Sequence, residues 1–271
     1  MSRRNLVIGA LVVIVILVIG GVWLYDWVLG DTEAASGQVS APTLALETAA
    51  PTIAATATEI LPTESVATAT QEPTQAAPAL SSPTVQAAEA SAGGLVTYQI
   101  TQEESQVSFN IFEELRGAPK DVIGTSNQVA GEVAIDLNDL STAQIGQLLI
   151  NARTLVTDDD RRNQAIRNRI LHTDQYEFNT FTPTQITGLS GSAQPGQTFT
   201  FQITGDLTIQ DVTQPVTFDV TAQVESVNRL TGTATTTINR SDFNLIVPNV
   251  PFVANVGEEI QLAIDFVLVA P

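Results

Sequence analysis

Hydrophobic and polar residues alternate with a period of two along much of residues 95–271. Phe199, Phe201 and Ile203 occupy odd positions with threonine or glutamine between them, and residues 107–111, 129–137, 148–150, 216–222, 230–238 and 260–268 repeat the pattern. Such alternation is typical of β-strands that have one apolar and one solvent-facing side. Because almost no helical pattern interrupts these segments, the sequence predicts an all-β domain built as an antiparallel barrel or sandwich.

The inward-facing positions of such a domain either fill a core or line a ligand cavity. About eight strands suffice to close a barrel around one small ligand. Periodicity alone leaves both interpretations open. The inward candidates are Phe109, Ile111, Val133, Ile135, Leu148, Ile150, Phe201, Ile203, Phe218, Val220, Ile264 and Phe266.

One segment departs from the β pattern. The acidic run Asp158, Asp159, Asp160 precedes Ile166 and Ile170, which are four residues apart and share one face of a helix. Acidic residues are favourable at a helix N-terminus. We therefore predict one short helix over residues 159–171, capped by Thr157 or Asp158.

The N-terminus contains an uncharged apolar run at residues 6–25. This run matches the roughly 20 residues that a bilayer-spanning helix needs and exceeds the usual apolar region of a cleavable signal peptide. Arg3 and Arg4 precede it, whereas Asp26 and Asp31 follow it. The sequence predicts a cytoplasmic tail at residues 1–5 and an uncleaved transmembrane signal-anchor at residues 6–29. By the positive-inside rule, the rest of this single-pass cell-membrane protein lies outside the cytoplasm.

Residues 30–94 have the composition of a disordered stalk. They are rich in alanine, threonine and proline, contain no aromatic residue, and carry only negative charges. Such a segment cannot bury enough apolar surface to offset its loss of conformational entropy on folding. The folded domain is therefore predicted at residues 95–271.

Composition excludes several kinds of chemistry. The chain has no cysteine and one histidine, so thiolate sites and multi-histidine metal sites are excluded. Its 29 acidic against 11 basic residues give a formal net charge of -18, which argues against nucleic-acid binding. His172 is expected on the surface at the helix C-terminus, and Asp158–Asp160 as helix-capping residues. No set of residues suggests catalysis, so we expect neither an enzyme nor a cofactor or metal.

The segment at residues 245–256, LIVPNVPFVANV, is unusually apolar for a connection between strands. Pro248 and Pro251 prevent it from continuing a regular ladder. An exposed apolar segment is a common mark of a ligand portal or a membrane contact. The alternative is that this segment folds over the end of the barrel as a plug.

Four stretches resemble a known family. Residues 98–109 read YQITQEESQVSF, residues 161–181 read RRNQAIRNRILHTDQYEFNTF, residues 205–220 read GDLTIQDVTQPVTFDV, and residues 238–243 read INRSDF. Together they are similar to the YceI-like family of polyisoprenoid-binding proteins, over the whole of residues 95–271 but not the anchor or the stalk.

The resemblance implies an extended, eight-stranded antiparallel barrel, lipocalin-like, with a long apolar cavity for an isoprenoid chain. In the helix, Arg162 and Arg167 match the family's usual motif and become candidates for contact with a lipid head group. Ala165 stands where the family has a histidine.

The predicted function is therefore that of a membrane-tethered, extracytoplasmic binding protein for an isoprenoid or other long-chain amphiphilic lipid. A homodimer is left open. The alternative is a surface-displayed β-domain for protein interaction or adhesion, with a filled core.

Overall fold

The alternating segments form the strands of one curled antiparallel sheet in the computed structural model, which describes residues 32–44 and 94–271. In chain order the strands are β1 (Val96–Ile100), β2 (Gln106–Leu115), β3 (Ala118–Ser126), β4 (Val129–Ala130), β5 (Glu132–Asp136), β6 (Asp139–Ile145), β7 (Leu148–Asn151), β8 (Phe178–Thr187), β9 (Thr198–Ile209), β10 (Val212–Ser226), β11 (Arg229–Asn239), β12 (Val253–Ala254) and β13 (Glu259–Val269). The mostly β fold and its antiparallel pairing are as predicted. The predicted count of eight strands is not confirmed, because several of the strands in the described residues are interrupted or very short.

The sheet forks at β13. One edge of β13 pairs with β11 along its whole length, whereas the other edge pairs first with β2, over residues 260–265, and then with β1, over residues 268–269. The β2 branch continues into β3, and the β1 branch continues into β5 and β6.

The turn between β1 and β2 satisfies the backbone of β13 at the fork. Thr101 donates its amide to the carbonyl of Val267 at 2.9 Å, and the hydroxyl of Ser105 accepts the amide of Val267 at 3.0 Å. Ser105 is buried, so an unpaired group here would lose a hydrogen bond without gaining water. The fork therefore leaves none of these four polar groups unsatisfied.

At Gly131, the strand at one end of the hydrogen-bonded order, β4, is directly followed in sequence by β5, the last strand but one at the other end. Bonded neighbours run in the order β4-β7-β8-β9-β10-β11-β13-β1-β5-β6. Since Gly131 alone separates β4 from β5, residues 129–136 contact both β7 and β1. This arrangement curls the sheet around an apolar interior.

The predicted helix is present in altered form. An α-helix, α1, spans Asp160–Ala165 and continues as one π-helical turn over Ile166–Ile170. The carboxylate of Asp159, rather than Thr157 or Asp158, caps it by accepting the amide of Arg162 at 3.0 Å. His172 follows in a left-handed conformation at φ 46° and is exposed, as predicted. Two short 3-10 helices, at Ala152–Thr154 and Arg240–Phe243, complete the secondary structure of the described residues.

Residues 32–44, which belong to the predicted stalk, contain no helix or strand but lie against the domain. Ser36 donates its amide to Glu177 at 2.6 Å, and Leu44 donates its amide to Glu132 at 2.7 Å. Val39, between them, is buried. Burial would raise the pKa of Glu177, but hydrogen bonds from Ser36 and Asn151, with the charge of Arg153, hold it below its ordinary value. The rest of the predicted stalk, except Gly94, lies outside the described residues.

Within residues 32–44 and 94–271, no helix has the length and hydropathy needed to cross a membrane. The predicted anchor at residues 6–29 and tail at residues 1–5 lie outside the described residues.

Candidate functional site

The interior of the curled sheet holds two cavities, one for each branch of the fork. The larger has a volume of about 810 Å³ and is lined by β2, β3, α1 and the connection at residues 245–256. The smaller has a volume of about 90 Å³ and is lined by β1, β5, β6, the first half of β9 and the middle of β10, among others. The larger lies within the range of about 300–1,000 Å³ typical of small-molecule sites.

The structure places all twelve predicted inward residues on these walls. Phe109, Ile111 and Ile150 line the larger cavity; Val133, Ile135, Leu148, Phe201, Ile203, Val220 and Phe266 line the smaller; Phe218 and Ile264 line both. The period-two pattern therefore identified the inner face correctly. That these side chains contact a ligand stays a prediction.

Three side chains separate the two cavities. Phe181, Phe218 and Ile264 line both of them. The rings of Phe181 and Phe218 pack edge to face, with centroids 5.0 Å apart and an interplanar angle of 73°. Phe181 was not predicted from the sequence, because the two phenylalanines and the isoleucine of β8 do not follow a period of two and the strand has a register shift near Pro183.

A glycine in the neighbouring strand makes room for the ring of Phe181. A Cβ atom at Gly205 would lie 2.7 Å from Cζ of Phe181 and 2.5 Å from the carbonyl oxygen of Thr182. No side chain fits there without displacing the ring or the backbone. Gly205 therefore allows Phe181 to lie close to the wall between the cavities.

The smaller cavity is apolar, whereas the larger has charged residues at its opening. Apart from Gly131 and Glu132, the smaller is lined by apolar residues. The charged residues that line the larger are Glu113, Arg116, Asp159, Arg161, Arg162 and Arg240. The interior therefore has one wholly apolar end and one end at which a polar group can stay hydrated or find a charged partner.

Arg162, a predicted head-group residue, is already paired. Its guanidinium lies 2.9 Å from Glu113, which is 7% exposed, and forms a second ion pair with Asp158. Lys120 also bonds Asp158. The hydrogen bond from Lys120, with that from Arg162, holds the pKa of Asp158 below its ordinary value. Arg162 thus connects α1 to β2 across the opening.

Arg167, the other predicted head-group residue, does not line either cavity, whereas Arg161 does. Arg161 is exposed, and no ion pair joins it to another described residue. Arg161 directly precedes Arg162 in the stretch at residues 161–181 but, unlike Arg162 and Arg167, was not matched to the family motif.

Some residues of the connection at 245–256 face the larger cavity, and others are exposed to solvent. Leu245 is buried, and Val247, Val250 and Val253 line the larger cavity. Ile246 lies off the cavity wall and is 74% exposed, whereas Phe252 lines the cavity and still exposes 71% of its surface. The segment therefore forms part of the cavity wall, as a plug would. It also exposes apolar side chains at the opening, as a portal would.

Arg240 fixes both ends of this connection. It donates to the carbonyl oxygens of Leu245 at 3.1 Å and Gly257 at 3.3 Å, and it pairs with Glu258 at 3.0 Å. Charge-assisted hydrogen bonds of this kind are stronger than neutral ones. The arginine of the INRSDF motif therefore has a structural role at the opening.

Comparison with known families identifies the chain. The family model for the YceI-like domain matches residues 98–268. The chain belongs to the YceI-like family. None of the curated proteins matches it.

Solved structures resemble the YceI-like domain in fold. A polyisoprenoid-binding domain from Saccharophagus degradans, implicated in plant cell wall breakdown, superposes with a TM-score of 0.51 at 16% identity, covering 65% of this chain and 99% of that one. BcnA of Burkholderia cenocepacia gives a TM-score of 0.48 at 21% identity, covering 62% and 98%. The YCEI protein of Campylobacter jejuni gives 0.43 at 17% identity, covering 55% and 84%.

We predict that Arg162→Ala destabilises the YceI-like domain more than Arg161→Ala does. Removing Arg162 leaves the buried carboxylate of Glu113 without its partner, and hydrogen bonds to charged groups contribute about 1.5–3 kcal/mol. The exposed Arg161 should cost at most about 0.5 kcal/mol. Chemical denaturation of the full-length variants, followed by circular dichroism, measures both. Equal effects of the two substitutions would contradict a structural role for the Arg162–Glu113 pair.

Proposed function

We propose that this chain is a non-enzymatic binding protein that holds one long-chain amphiphilic lipid, an isoprenoid or a similar molecule, inside its barrel-like sheet. The observation that carries the proposal is the pair of adjoining apolar cavities, which together follow the interior along both branches of the fork. The S. degradans neighbour, which has the same fold, is described as polyisoprenoid-binding, and we propose the same class of ligand for this chain.

The driving force for such binding is burial of the lipid chain. Each Å² of apolar surface removed from water contributes roughly 25 cal/mol. The walls offer the chain leucine, isoleucine, valine and phenylalanine side chains and few polar atoms. A long hydrocarbon chain therefore gains much by leaving water for this interior.

The polarity of the two ends gives the bound lipid a direction. We place its apolar end beyond Phe181 and Phe218, in the smaller cavity, where a polar group would lose its hydration. Its head group lies at the opening of the larger cavity, near Arg161. The predicted contacts of Arg162 and Arg167 with the head group are less favoured, because Arg162 is paired and Arg167 lies off the cavity wall.

The alternative, a display domain with a filled core, fits the interior less well. Protein cores are close-packed and contain few voids larger than a water molecule. A cavity of about 810 Å³ is much larger than such voids. A protein that used its loops alone would gain nothing from keeping this space open.

We further propose that residues 6–29 anchor the protein in the cell membrane with its N-terminus in the cytoplasm and residues 30–271 outside. The uncharged run and the flanking Arg3 and Arg4 support this topology. Protease added to intact cells should then release a fragment that contains residues 95–271, by cutting between residues 45 and 93. A domain that survives intact on or in such cells, but is cut after lysis, would contradict this topology.

Lipid occupancy is tested on the full-length chain by quantifying the apolar lipids that co-purify in detergent. Ile238 lies on the wall of the larger cavity, while its neighbour Thr237 is exposed on the outer face. We expect about one lipid per wild-type chain, much less for Ile238→Trp, whose larger side chain projects into the larger cavity, and the wild-type amount for Thr237→Trp. Mass spectrometry of the extracts measures all three.

The Thr237→Trp variant controls for lipid that merely surrounds the anchor in detergent. If the wild type and both variants carried the same amount of lipid, the lipid would lie outside the cavity and the proposal would be wrong.

The Phe181–Phe218 pair should limit the length of chain that the interior accepts. Phe218→Leu shortens the side chain between the two cavities but keeps it apolar, so its cost should stay below the roughly 3–5 kcal/mol of a Phe→Ala change. We expect this variant to shift binding toward longer isoprenoid alcohols in a competition assay. Phe201→Leu, which alters only the wall of the smaller cavity, should shift it less. An equal shift for the two variants would show that the pair does not control length.

A further inference from the structure

We propose that the rim of the larger cavity is a docking surface for a lipid bilayer that carries anionic head groups. The rim is defined here by Ile246, Phe252, Arg116 and Arg161. This inference concerns the outer surface at the opening. It does not require that a lipid occupy the cavity, although docking here would bring the opening next to a source of lipid.

The first observation is an exposed apolar pair at the opening. Ile246 and Phe252 expose 74% and 71% of their surfaces, while their neighbours Leu245 and Val253 face inward. Large side chains exposed next to a cavity lined by apolar residues extend that apolar surface outward. Exposed apolar surface at such a place marks contact with a partner or a membrane.

The second observation is the backbone of Phe252, which lies at φ 74°. A bulky residue rarely adopts this left-handed conformation, and a residue held there points to a function. Its carbonyl accepts the amide of Arg116 at 2.7 Å, and Val253 pairs with Leu115. The surrounding structure therefore fixes an unfavourable conformation that holds Phe252 at the mouth of the cavity with 71% of its surface exposed.

The third observation is the charge of the rim. The guanidinium of Arg116 lies 5.7 Å from the centroid of the Phe252 ring, a cation–π distance. Neither Arg116 nor Arg161 forms an ion pair with a residue in the described part of the chain, although the protein has 29 acidic residues.

Three acidic residues that line the same cavity or stand close to Arg116 in the sequence are engaged elsewhere. Glu113 pairs with Arg162, Asp159 caps α1, and Glu114 accepts the side chain of Asn255 at 2.6 Å. The rim thus presents two available positive charges on a chain whose formal net charge is -18.

Apolar side chains flanked by arginines fit an anionic membrane surface. The rings and aliphatic groups enter the interface, and the guanidinium groups meet the phosphates of the head groups. Each basic residue close to an anionic bilayer strengthens binding by about fivefold, the equivalent of about 1 kcal/mol. A protein partner could also bind exposed apolar residues, but such binding would not depend on anionic lipid.

The absence of cysteine from the sequence makes a site-specific test direct, since each substitution adds the only thiol. Ile246→Cys, Phe252→Cys and Val227→Cys variants of the full chain are each labelled with a small fluorophore. Val227 is the matched control: it is 60% exposed and lies in the turn between β10 and β11, and it lines neither cavity. The labelled chains are reconstituted into vesicles of phosphatidylcholine, alone or mixed equally with phosphatidylglycerol.

Quenching by lipids with a nitroxide on the acyl chain reports insertion. We expect strong quenching of the labels at 246 and 252 in anionic vesicles, several-fold less in phosphatidylcholine, and little at 227 in either. Arg116→Gln and Arg161→Gln should each lower the equilibrium constant for docking by about fivefold, and the docked fraction should fall accordingly. Equal quenching at all three positions would overturn the proposal. So would quenching that is the same in both kinds of vesicle and unchanged by the two arginine substitutions.

The same samples separate this inference from the proposed lipid binding. Lipid retained in the cavity without quenching at 246 and 252 would reject docking and leave lipid binding intact. Quenching without any cavity lipid would reject lipid binding and leave docking intact. Circular dichroism melting of each variant excludes unfolding as the cause of either loss.

Discussion

The interior depends on the backbone pairing of a single strand. Glu259–Val269 pairs with β11 along one edge but must share its other edge between β2 and β1. Two strands cannot occupy the same length of one edge, so β1 and β2 diverge where they leave β13. The strand β3 follows β2, whereas β5 and β6 follow β1. The space between the branches and the facing strands β8 to β10 is the interior that the two cavities occupy. The buried hydroxyl of Ser105 stabilises this fork by accepting the one amide that neither branch can reach.

The fork also explains why one end of the interior is apolar and the other carries charged residues. The β1 branch is enclosed by apolar residues of β5 and β6, such as Ile135 and Leu140. The β2 branch is closed by α1 and by residues 245–256, both of which carry arginines or exposed apolar residues to the surface. One end is therefore suited to a hydrocarbon chain, whereas the other faces solvent and, in our proposal, a bilayer.

The inner face could be predicted from the sequence because alternation is a local property. Phe109, Phe218 and Phe266 lie on cavity walls because each occupies an inward position in a regular strand. The family resemblance, predicted from motifs such as those at residues 205–220 and 238–243, is confirmed by the family model that matches residues 98–268. The fork could not be predicted, because alternation does not tell which strands pair or where a partner changes. Glu33, Ser36 and Leu44 gave no signal either, since their binding to the domain uses backbone amides and carboxylates within a segment of low-complexity composition.

The residues at the opening show how a motif can point to the wrong neighbour. Arg162 matches the family pattern, yet its charge is compensated by Glu113 and Asp158, whereas the adjacent Arg161 has no such partner among the described residues. Helical spacing from Arg162 could not place Arg167 either, because the π-helical turn at Ile166–Ile170 changes the face that residues after Ala165 present. Only the ion pair between Arg162 of α1 and Glu113 of β2 shows which arginine is paired within the domain and which can meet a ligand.

The most direct measurement is an electron-density map of the protein purified without added lipid. A lipid-binding role predicts elongated density that runs from the opening near Arg161, past Phe181 and Phe218, toward Leu140. Its wider end should lie at the arginine side. Side chains that collapse to fill both cavities, or a larger cavity that holds only discrete water molecules, would contradict it.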